Sequence, residues 1–212
     1  LATSSAASDV YKRQDVVNES RRKFLLASTS VLGGVGVIGA AVPFVASWKP
    51  SAKAKAAGAP VRVDISKLDY GAQIVVEWRG KPVYVVKRSS EAISNLETYG
   101  SDILRDKDSE LASQPDYVSG NSRTLPGKEE ILVIVGLCTH LGCAPMYRPD
   151  IGAKDLGGEE WLGGFFCPCH GSKFDLSGRV YAGVPAPSNL EVPPHSYESQ
   201  NVIVIGVDTE NA

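Results

Sequence analysis

The sequence contains little sulfur and almost no net charge. Its 212 residues include four cysteines, three histidines and a single methionine, Met146, and the formal net charge is -2. The C-terminal part has no run of basic residues and no alternation of basic with aromatic residues, which argues against nucleic acid as a partner. No two cysteines have the Cys-x-x-Cys spacing, so a thioredoxin-like dithiol is not expected.

The segment 1–14 lacks an initiator methionine, and we expect it to be an uninformative leader. The next segment, 15–24, contains Arg21 and Arg22 within the run Ser-Arg-Arg-Lys-Phe-Leu. This run resembles the twin-arginine signal, which directs folded proteins across a membrane. We therefore predict export, with the N-terminus left in the cytoplasm.

The segment 25–48 has no charged residue over its 24 positions. As a helix it would be about 36 Å long, which is enough to cross a hydrocarbon core of about 30 Å with some tilt. A cleaved signal peptide typically has a shorter apolar region, of about 7 to 15 residues. We therefore predict one uncleaved transmembrane anchor.

The segment 49–60 is small and polar, with Pro50 and Pro60 near its ends, and predicts a flexible hinge linker. Beyond it, residues 61–212 are predicted to form one mostly β domain. Five apolar runs predict strands, at Gln73–Trp78, Pro82–Lys87, Ile131–Leu137, Trp161–Phe166 and Asn201–Val207. Two stretches have helical character, Ser90–Tyr99 and Asp106–Ser113.

All four cysteines and two of the three histidines lie within one window of 33 residues. The window holds a Cys-x-His group, Cys138 and His140, and a Cys-x-x-His group, Cys167 and His170. Two thiolates and two imidazoles allow one iron of a 2Fe-2S cluster to be held by sulfur and the other by nitrogen. A structural zinc site is the alternative, but zinc half-sites usually pair Cys with Cys and His with His, whereas each half here is mixed.

The two groups stand in the sequences Cys-Thr-His-Leu-Gly-Cys (box 1, residues 138–143) and Cys-Pro-Cys-His-Gly-Ser (box 2, residues 167–172). Both resemble, without gaps, the cluster-binding boxes of Rieske iron-sulfur proteins. The region from about Val61 to the end is similar to the iron-sulfur subunits of the respiratory cytochrome bc complex. The resemblance implies a mostly β fold: a Rieske-type antiparallel β-sandwich with a cluster-binding subdomain at about 136–188, a helix-loop insertion, and one N-terminal transmembrane helix.

The resemblance also implies a role for each box residue. Cys138 and Cys167 would bind the inner iron of one 2Fe-2S cluster, and His140 and His170 the outer, solvent-facing iron. Both histidines would be catalytic, with a free ring nitrogen of His170 meeting the quinol and coupling proton uptake to reduction. Ser172 matches a serine whose hydroxyl donates a hydrogen bond to a cluster sulfur.

A disulfide between Cys143 and Cys169, tying the two boxes together, is a further implication of the resemblance. Such a bond persists in an oxidising compartment. We therefore expect the domain to lie on the periplasmic side of a bacterial inner membrane, held by a single-pass anchor. Because a 2Fe-2S cluster is assembled in the cytosol, its protein must cross the membrane folded, which agrees with a twin-arginine signal.

The implied function is electron transfer within ubiquinol-cytochrome c reductase, a proton-translocating oxidoreductase. The subunit would take one electron from ubiquinol at a cytochrome b subunit and pass it to a c-type cytochrome subunit, in a complex that we expect to be dimeric. The alternative is the Rieske subunit of another oxidoreductase, such as arsenite oxidase. A soluble Rieske ferredoxin or oxygenase domain is disfavoured, because these generally lack the extra cysteine pair and the anchor.

Three positions outside the matched residues carry further expectations. The loop 183–187 resembles the proline-rich segment that covers the cluster, with Val184 as a departure. Phe174 stands where many high-potential relatives have a tyrosine that donates a hydrogen bond to a ligand sulfur. His195 matches no motif, and we expect it to be a surface residue.

Overall fold

The structure is a computed structural model that describes residues 18–208. The predicted leader, 1–14, and the first part of the export-signal segment, 15–17, lie outside these residues. The chain divides into two compact units, Leu1–Ala52 and Lys53–Ala212, which are described separately.

The first unit is dominated by helix α1 (Glu19–Ser47). The helix begins after Asn18, whose side chain caps it by accepting a hydrogen bond from the Arg21 N–H at 3.1 Å. None of its residues is buried. Its 29 residues are long and apolar enough to cross a membrane, judged by length and composition. The predicted apolar helix is therefore present, and it begins earlier than the uncharged run does.

A short helix, α2 (Ala52–Ala57), lies within the segment predicted to be a linker. Its sequence alternates alanine and lysine, which are both good helix formers. The first strand, β1 (Val61–Asp64), follows almost at once.

Within its described residues, the second unit contains three antiparallel sheets of three strands each. The first sheet has the order β1-β9-β8, with β8 at His195–Ser199 and β9 at Val202–Ile205. The second sheet consists of β2 (Gln73–Trp78), β3 (Lys81–Lys87) and β4 (Ile131–Val135). The third sheet consists of β5 (Met146–Arg148), β6 (Gly164–Phe166) and β7 (Lys173–Asp175). The predicted mostly β, antiparallel fold is confirmed.

The second sheet is buried on both faces at β3 and β4. Successive side chains of a strand point to opposite faces, and in β3 Val83 and Val85 pack with the first sheet, while Tyr84 and Val86 pack toward the third. All five residues of β4 are likewise buried. This two-sided burial explains why β4 is a continuous apolar run rather than an alternating one.

The predicted hairpin is present between β2 and β3. Arg79 and Gly80 at its turn both have positive φ, 53° and 72°, as a two-residue hairpin turn requires. Strands β4, β6 and β9 are shorter than predicted. Strands β1, β5, β7 and β8 were not predicted, since they are short and flanked by loop-forming residues.

The helix predicted at Asp106–Ser113 is wrong. The Asp106 carboxylate accepts the N–H groups of Glu110 and Leu111 at 2.8 Å and 3.1 Å, and Ser109 has a φ of 59°. Aspartate side chains compete in this way with helical backbone hydrogen bonds. The other predicted helix is present but short, as α3 (Ser90–Asn95), with Ser89 rather than Ser90 as its cap.

The expectation that His195 is a surface residue is also wrong, because this side chain is 1% exposed. Its Nδ1 lies 2.8 Å from the Pro193 carbonyl oxygen, so Nδ1 must carry the proton. The Tyr117 ring packs edge-on against the imidazole. Burial lowers the pKa of His195 below its ordinary value.

Candidate functional site

Box 1 follows strand β4 after two intervening residues and forms a tight loop. The Cys138 N–H donates to the Cys143 carbonyl at 2.8 Å, and the Gly142 N–H donates to the Cys138 carbonyl at 2.9 Å. Gly142 has a φ of +80°, which side chains other than glycine rarely adopt. The loop is thus fixed at both ends by its own backbone.

Box 2 connects strands β6 and β7 and repeats the same construction. The Cys167 N–H donates to the Ser172 carbonyl at 2.8 Å, and the Gly171 N–H donates to the Cys167 carbonyl at 2.9 Å. Gly171 has a φ of +77°. Box 1 leads into β5 and box 2 follows β6, and these strands pair with Met146 opposite Phe166, so the two loops lie side by side.

The loops bring together the four predicted ligands in two layers. The thiols of Cys138 and Cys167 are free and buried, with residue exposures of 3% and 2%. The imidazoles of His140 and His170 meet edge to face with their ring centroids 4.8 Å apart, and His170 is exposed. Sulfur donors thus lie inside and nitrogen donors lie outside.

The two other cysteines of the boxes form a disulfide, Cys143–Cys169, with a Cα–Cα distance of 6.7 Å. Their sulfur atoms and that of Cys167 lie within 4.8 Å of one another. These three sulfurs are not a metal site by themselves, because the disulfide leaves only Cys167 able to provide a thiolate.

The buried Cys138 thiol stays protonated unless a positive charge lies beside it. Burial raises the pKa of the Cys138 thiol, while hydrogen bonds from the His140 N–H and the Ser172 side chain act in the opposite direction. A buried thiolate requires compensating positive charge, which iron supplies, and soft thiolates with imidazoles are suitable donors for it. The donor set and its burial therefore fit a 2Fe-2S cluster with mixed ligation.

Ser172 lies beneath the boxes and is fully buried. Its Oγ accepts a hydrogen bond from the Ala186 N–H at 3.1 Å and also interacts with the Cys138 sulfur. Because the amide uses a lone pair of the hydroxyl, the single hydroxyl proton remains available for the sulfur.

The proline-rich loop 183–187 reaches the site from the other side. Val184 packs against the apolar core that includes Cys138 and Cys167. The Thr139 hydroxyl in box 1 donates to the Ser188 carbonyl at 2.6 Å, just beyond this loop. The guanidinium of Arg105 hydrogen-bonds the loop carbonyls of Val184 and Ala186.

Several supporting residues were missed from the sequence. The Tyr84 ring lies so close to Gly136 that a Cβ there would collide with it, and its hydroxyl donates to the Pro145 carbonyl at 3.0 Å. Thr139 could have been found as a hydroxyl inside box 1. Arg105 and Tyr84 carry no local signal, because they lie far from the boxes in the sequence.

Comparison with known proteins supports the same reading. The family model "Ubiquitinol-cytochrome C reductase Fe-S subunit TAT signal" matches residues 12–51, and "Rieske [2Fe-2S] domain" matches residues 101–194. The first match confirms the predicted twin-arginine signal.

Relatives match along most of their length. The ubiquinol-cytochrome c reductase iron-sulfur subunit of Allochromatium vinosum is 54% identical over 196 residues, covering 92% of this chain and 93% of the relative. The subunit of the same name from Bradyrhizobium diazoefficiens is 41% identical over 187 residues, with coverages of 88% and 94%. A chain of the solved structure titled "Hyperthermophilic respiratory Complex III" is 26% identical with a TM-score of 0.45, covering 83% of this chain and 97% of that one.

Proposed function

Since this chain belongs to the family of iron-sulfur subunits of ubiquinol-cytochrome c reductase, we propose a specific division of labour among its site residues. The protein is the electron-transfer subunit of a cytochrome bc complex and carries a Rieske 2Fe-2S cluster. The buried thiolates of Cys138 and Cys167 hold the inner iron, and the imidazoles of His140 and His170 hold the outer one. The observation that carries this assignment is the layered arrangement of two buried thiols beneath two paired imidazoles.

When bound, the cluster supplies one-electron redox chemistry at a potential raised by imidazole ligation. The exposed ring of His170 then presents its free nitrogen to a quinol hydroxyl, orients that hydroxyl and accepts its proton. His140, beside it, provides the second outer imidazole and is more enclosed. The Cys143–Cys169 disulfide and the two backbone-closed loops keep these groups in place, and the sulfurs of Cys138 and Cys167 are buried.

Membership of this family implies the partners and the location. We expect ubiquinol to be presented by a cytochrome b subunit, and a c-type cytochrome to receive the electron, in a dimeric, proton-translocating complex. Helix α1 would be the single-pass anchor in a bacterial inner membrane. The twin-arginine signal and the disulfide both favour a Rieske domain on the periplasmic side.

Purification of the membrane complex tests the proposal. Haems b and c should copurify with the chain, and the reduced sample should give the electron paramagnetic resonance spectrum of a 2Fe-2S cluster with mixed sulfur and nitrogen ligation. Copurification with a molybdenum subunit instead of haem b would favour an arsenite oxidase-like assembly. A colourless protein containing zinc would refute the cluster.

To test the individual ligands, each of Cys138, His140, Cys167 and His170 is replaced by serine or alanine. Each variant should lose the spectrum. Replacement of the third histidine, as His195→Gln, is the matched control, because His195 lies in neither box and its Nδ1 is hydrogen-bonded to the Pro193 carbonyl. An intact spectrum in any of the four ligand variants would contradict the assignment of that residue.

A further inference from the structure

One guanidinium connects the insertion before β4 to the loop that covers the site. The residues around Arg105 pair with the segment that leads into this loop: the Arg105 N–H donates to the Val180 carbonyl at 3.0 Å, and the Ala182 N–H donates to the Ile103 carbonyl at 2.7 Å. Leu104 and Tyr181 form an antiparallel bridge between them. This pairing fixes Arg105 beside the loop 183–187.

The Arg105 side chain hydrogen-bonds this loop at two points. Its Nη1 donates to the Ala186 carbonyl at 2.8 Å, and its Nη2 donates to the Val184 carbonyl at 2.9 Å. Each of these carbonyls precedes a proline, Pro187 or Pro185, which has no N–H to donate. The loop therefore offers few backbone donors, and the rigid two-pronged guanidinium provides them from outside.

A buried amide of this loop contacts Ser172. The Ala186 N–H donates to the Ser172 Oγ at 3.1 Å, and Ser172 in turn contacts the Cys138 sulfur. A displaced Ala186 would release the Ser172 hydroxyl to rotate. The orientation of the hydroxyl proton toward the sulfur thus depends on where the loop is held.

Among residues 18–208, no Asp or Glu oxygen lies within 4.0 Å of the Arg105 guanidinium, so its side-chain interactions are with the loop rather than with an acidic neighbour. Hydrogen bonds from a charged donor are stronger than neutral ones.

We propose that Arg105 is a positioning residue for electron transfer: by bridging the Val184 and Ala186 carbonyls, it sets the Ala186 amide on Ser172 and thereby tunes the reduction potential of the cluster. This inference rests on the proposed function. Hydrogen bonds to cluster sulfurs favour the reduced state. Loss of the bridge should therefore lower the potential without changing the ligands.

Two substitutions in the full-length protein distinguish the effect of bridging the two carbonyls from the effect of the positive charge. Arg105→Lys keeps the positive charge but cannot span two carbonyls in the same geometry, and Arg105→Gln removes the charge as well. We expect both to reduce the equilibrium constant for one-electron reduction, by about threefold to tenfold, where tenfold corresponds to 59 mV. The potential is measured by redox titration followed by electron paramagnetic resonance.

Amide hydrogen exchange provides an independent readout of the loop. In a peptide covering residues 181–190, the Ala186 amide should exchange about tenfold faster in both variants, because a charge-assisted hydrogen bond has been lost. Exchange is compared between samples of equal cluster content, because Ala186 and Val184 pack against the site and loss of the cluster would itself loosen them. Arg62→Lys and Arg62→Gln are matched controls, since Arg62 is an exposed arginine of the first sheet that pairs with Glu198; both should leave potential and exchange unchanged.

The outcomes decide the proposal. A lowered potential with faster Ala186 exchange in both variants supports it. A lowered potential in Arg105→Gln alone would show that the charge matters rather than the bridging, and would overturn the proposal. Faster Ala186 exchange with an unchanged potential, or no change in either measurement, would also overturn it. Absence of the Rieske spectrum from the wild-type protein would instead refute the proposed function.

Discussion

Cys143 and Cys169 join the two box loops covalently, from positions 26 residues apart in the sequence. The bond closes a loop that contains strands β5 and β6, so it ties together the elements that position the ligands. Cys143 is the last residue of box 1, and Cys169 lies between Cys167 and His170 in box 2. The disulfide therefore acts on the spacing of the two ligand loops.

Removal of this bond should loosen the site. In the chain-entropy model, a loop of this length contributes about 3 to 4 kcal/mol to stability. We expect Cys143→Ser to retain ligation but to lose cluster faster and to have a lowered potential. The measurement is the decay of visible absorbance together with the midpoint potential of the exported protein.

The double variant provides the control. Because the bond is lost already when one partner is changed, Cys143→Ser combined with Cys169→Ser should resemble either single variant rather than show twice its effect. A single variant with the wild-type cluster lifetime and potential would contradict a stabilising role for the disulfide.

Most of the candidate site could be predicted from the sequence, but less of the fold could. The boxes are contiguous, so Cys138, His140, Cys167 and His170 could be proposed as ligands without knowledge of the tertiary structure. The apolar runs of β2, β3 and β4 were equally visible, because their burial requires them to be apolar.

Other features depend on contacts between distant residues. Arg105 reaches the site only because the backbone near it pairs with the segment around Tyr181. Asp106 begins a stretch of helical composition, but its carboxylate accepts hydrogen bonds from the backbone that follows and so competes with helix formation. His195 is polar but buried through its contacts with Pro193 and Tyr117. No local pattern distinguishes these residues from ordinary surface residues.

Phe174 should keep the reduction potential of the cluster lower than a tyrosine at this position would. It is fully buried on β7 in the same apolar core as Cys138 and Cys167, so a hydroxyl added to its ring would not point into solvent. Phe174→Tyr should raise the potential by some tens of millivolts, compared with 59 mV for a tenfold change at a one-electron site, because a hydrogen bond to sulfur stabilises the reduced cluster. Film voltammetry measures the shift.

A matched change in the same sheet tests whether the hydroxyl acts locally. Phe165 is also fully buried, on the neighbouring strand β6, where its ring packs against Tyr84 and Tyr147. Phe165→Tyr should leave the potential unchanged or should alter stability alone. If Phe174→Tyr keeps an intact cluster spectrum but shows no upward shift, the potential is set by other groups.

The ion pair between Asp175 and Arg179 should be essential for stability. Both side chains are fully buried, and the Arg179 Nε donates to Asp175 at 2.7 Å. Burial lowers the pKa of the nearby Arg88 and Arg123 to about 10, and the Asp175 carboxylate opposes both shifts. This carboxylate therefore compensates more than one buried guanidinium.

Asp175→Asn preserves the shape of the side chain but leaves these guanidinium groups without that charge. Breaking a buried pair costs about 3 to 5 kcal/mol, so we expect a large fall in the free energy of unfolding, measured by urea denaturation. Asp155→Asn is the control: Asp155 pairs with Arg148 on the surface, where solvent screens the interaction, and little change is expected. Equal effects of the two substitutions would contradict the argument.

His195 should make the protein sensitive to mild acid. Burial lowers its folded-state pKa, and its Nε2 is buried without a hydrogen-bond partner among the described residues. Below the ordinary histidine pKa of about 6.5, the unfolded chain therefore binds a proton that the folded protein does not. The stabilisation that the neutral, buried imidazole contributes is present above about pH 6.5 and is lost as the pH falls below it.

We expect His195→Gln to remove this pH dependence of stability. The difference in free energy of unfolding between wild type and variant should therefore be largest near neutral pH and shrink toward about pH 5. Urea unfolding followed by tryptophan fluorescence across this range measures it, with Ser199→Ala on the exposed end of β8 as control. His140 and His170 are present in both proteins, so their contributions largely cancel in the difference. Parallel stability curves for wild type and His195→Gln would show that this buried imidazole does not govern the response to acid.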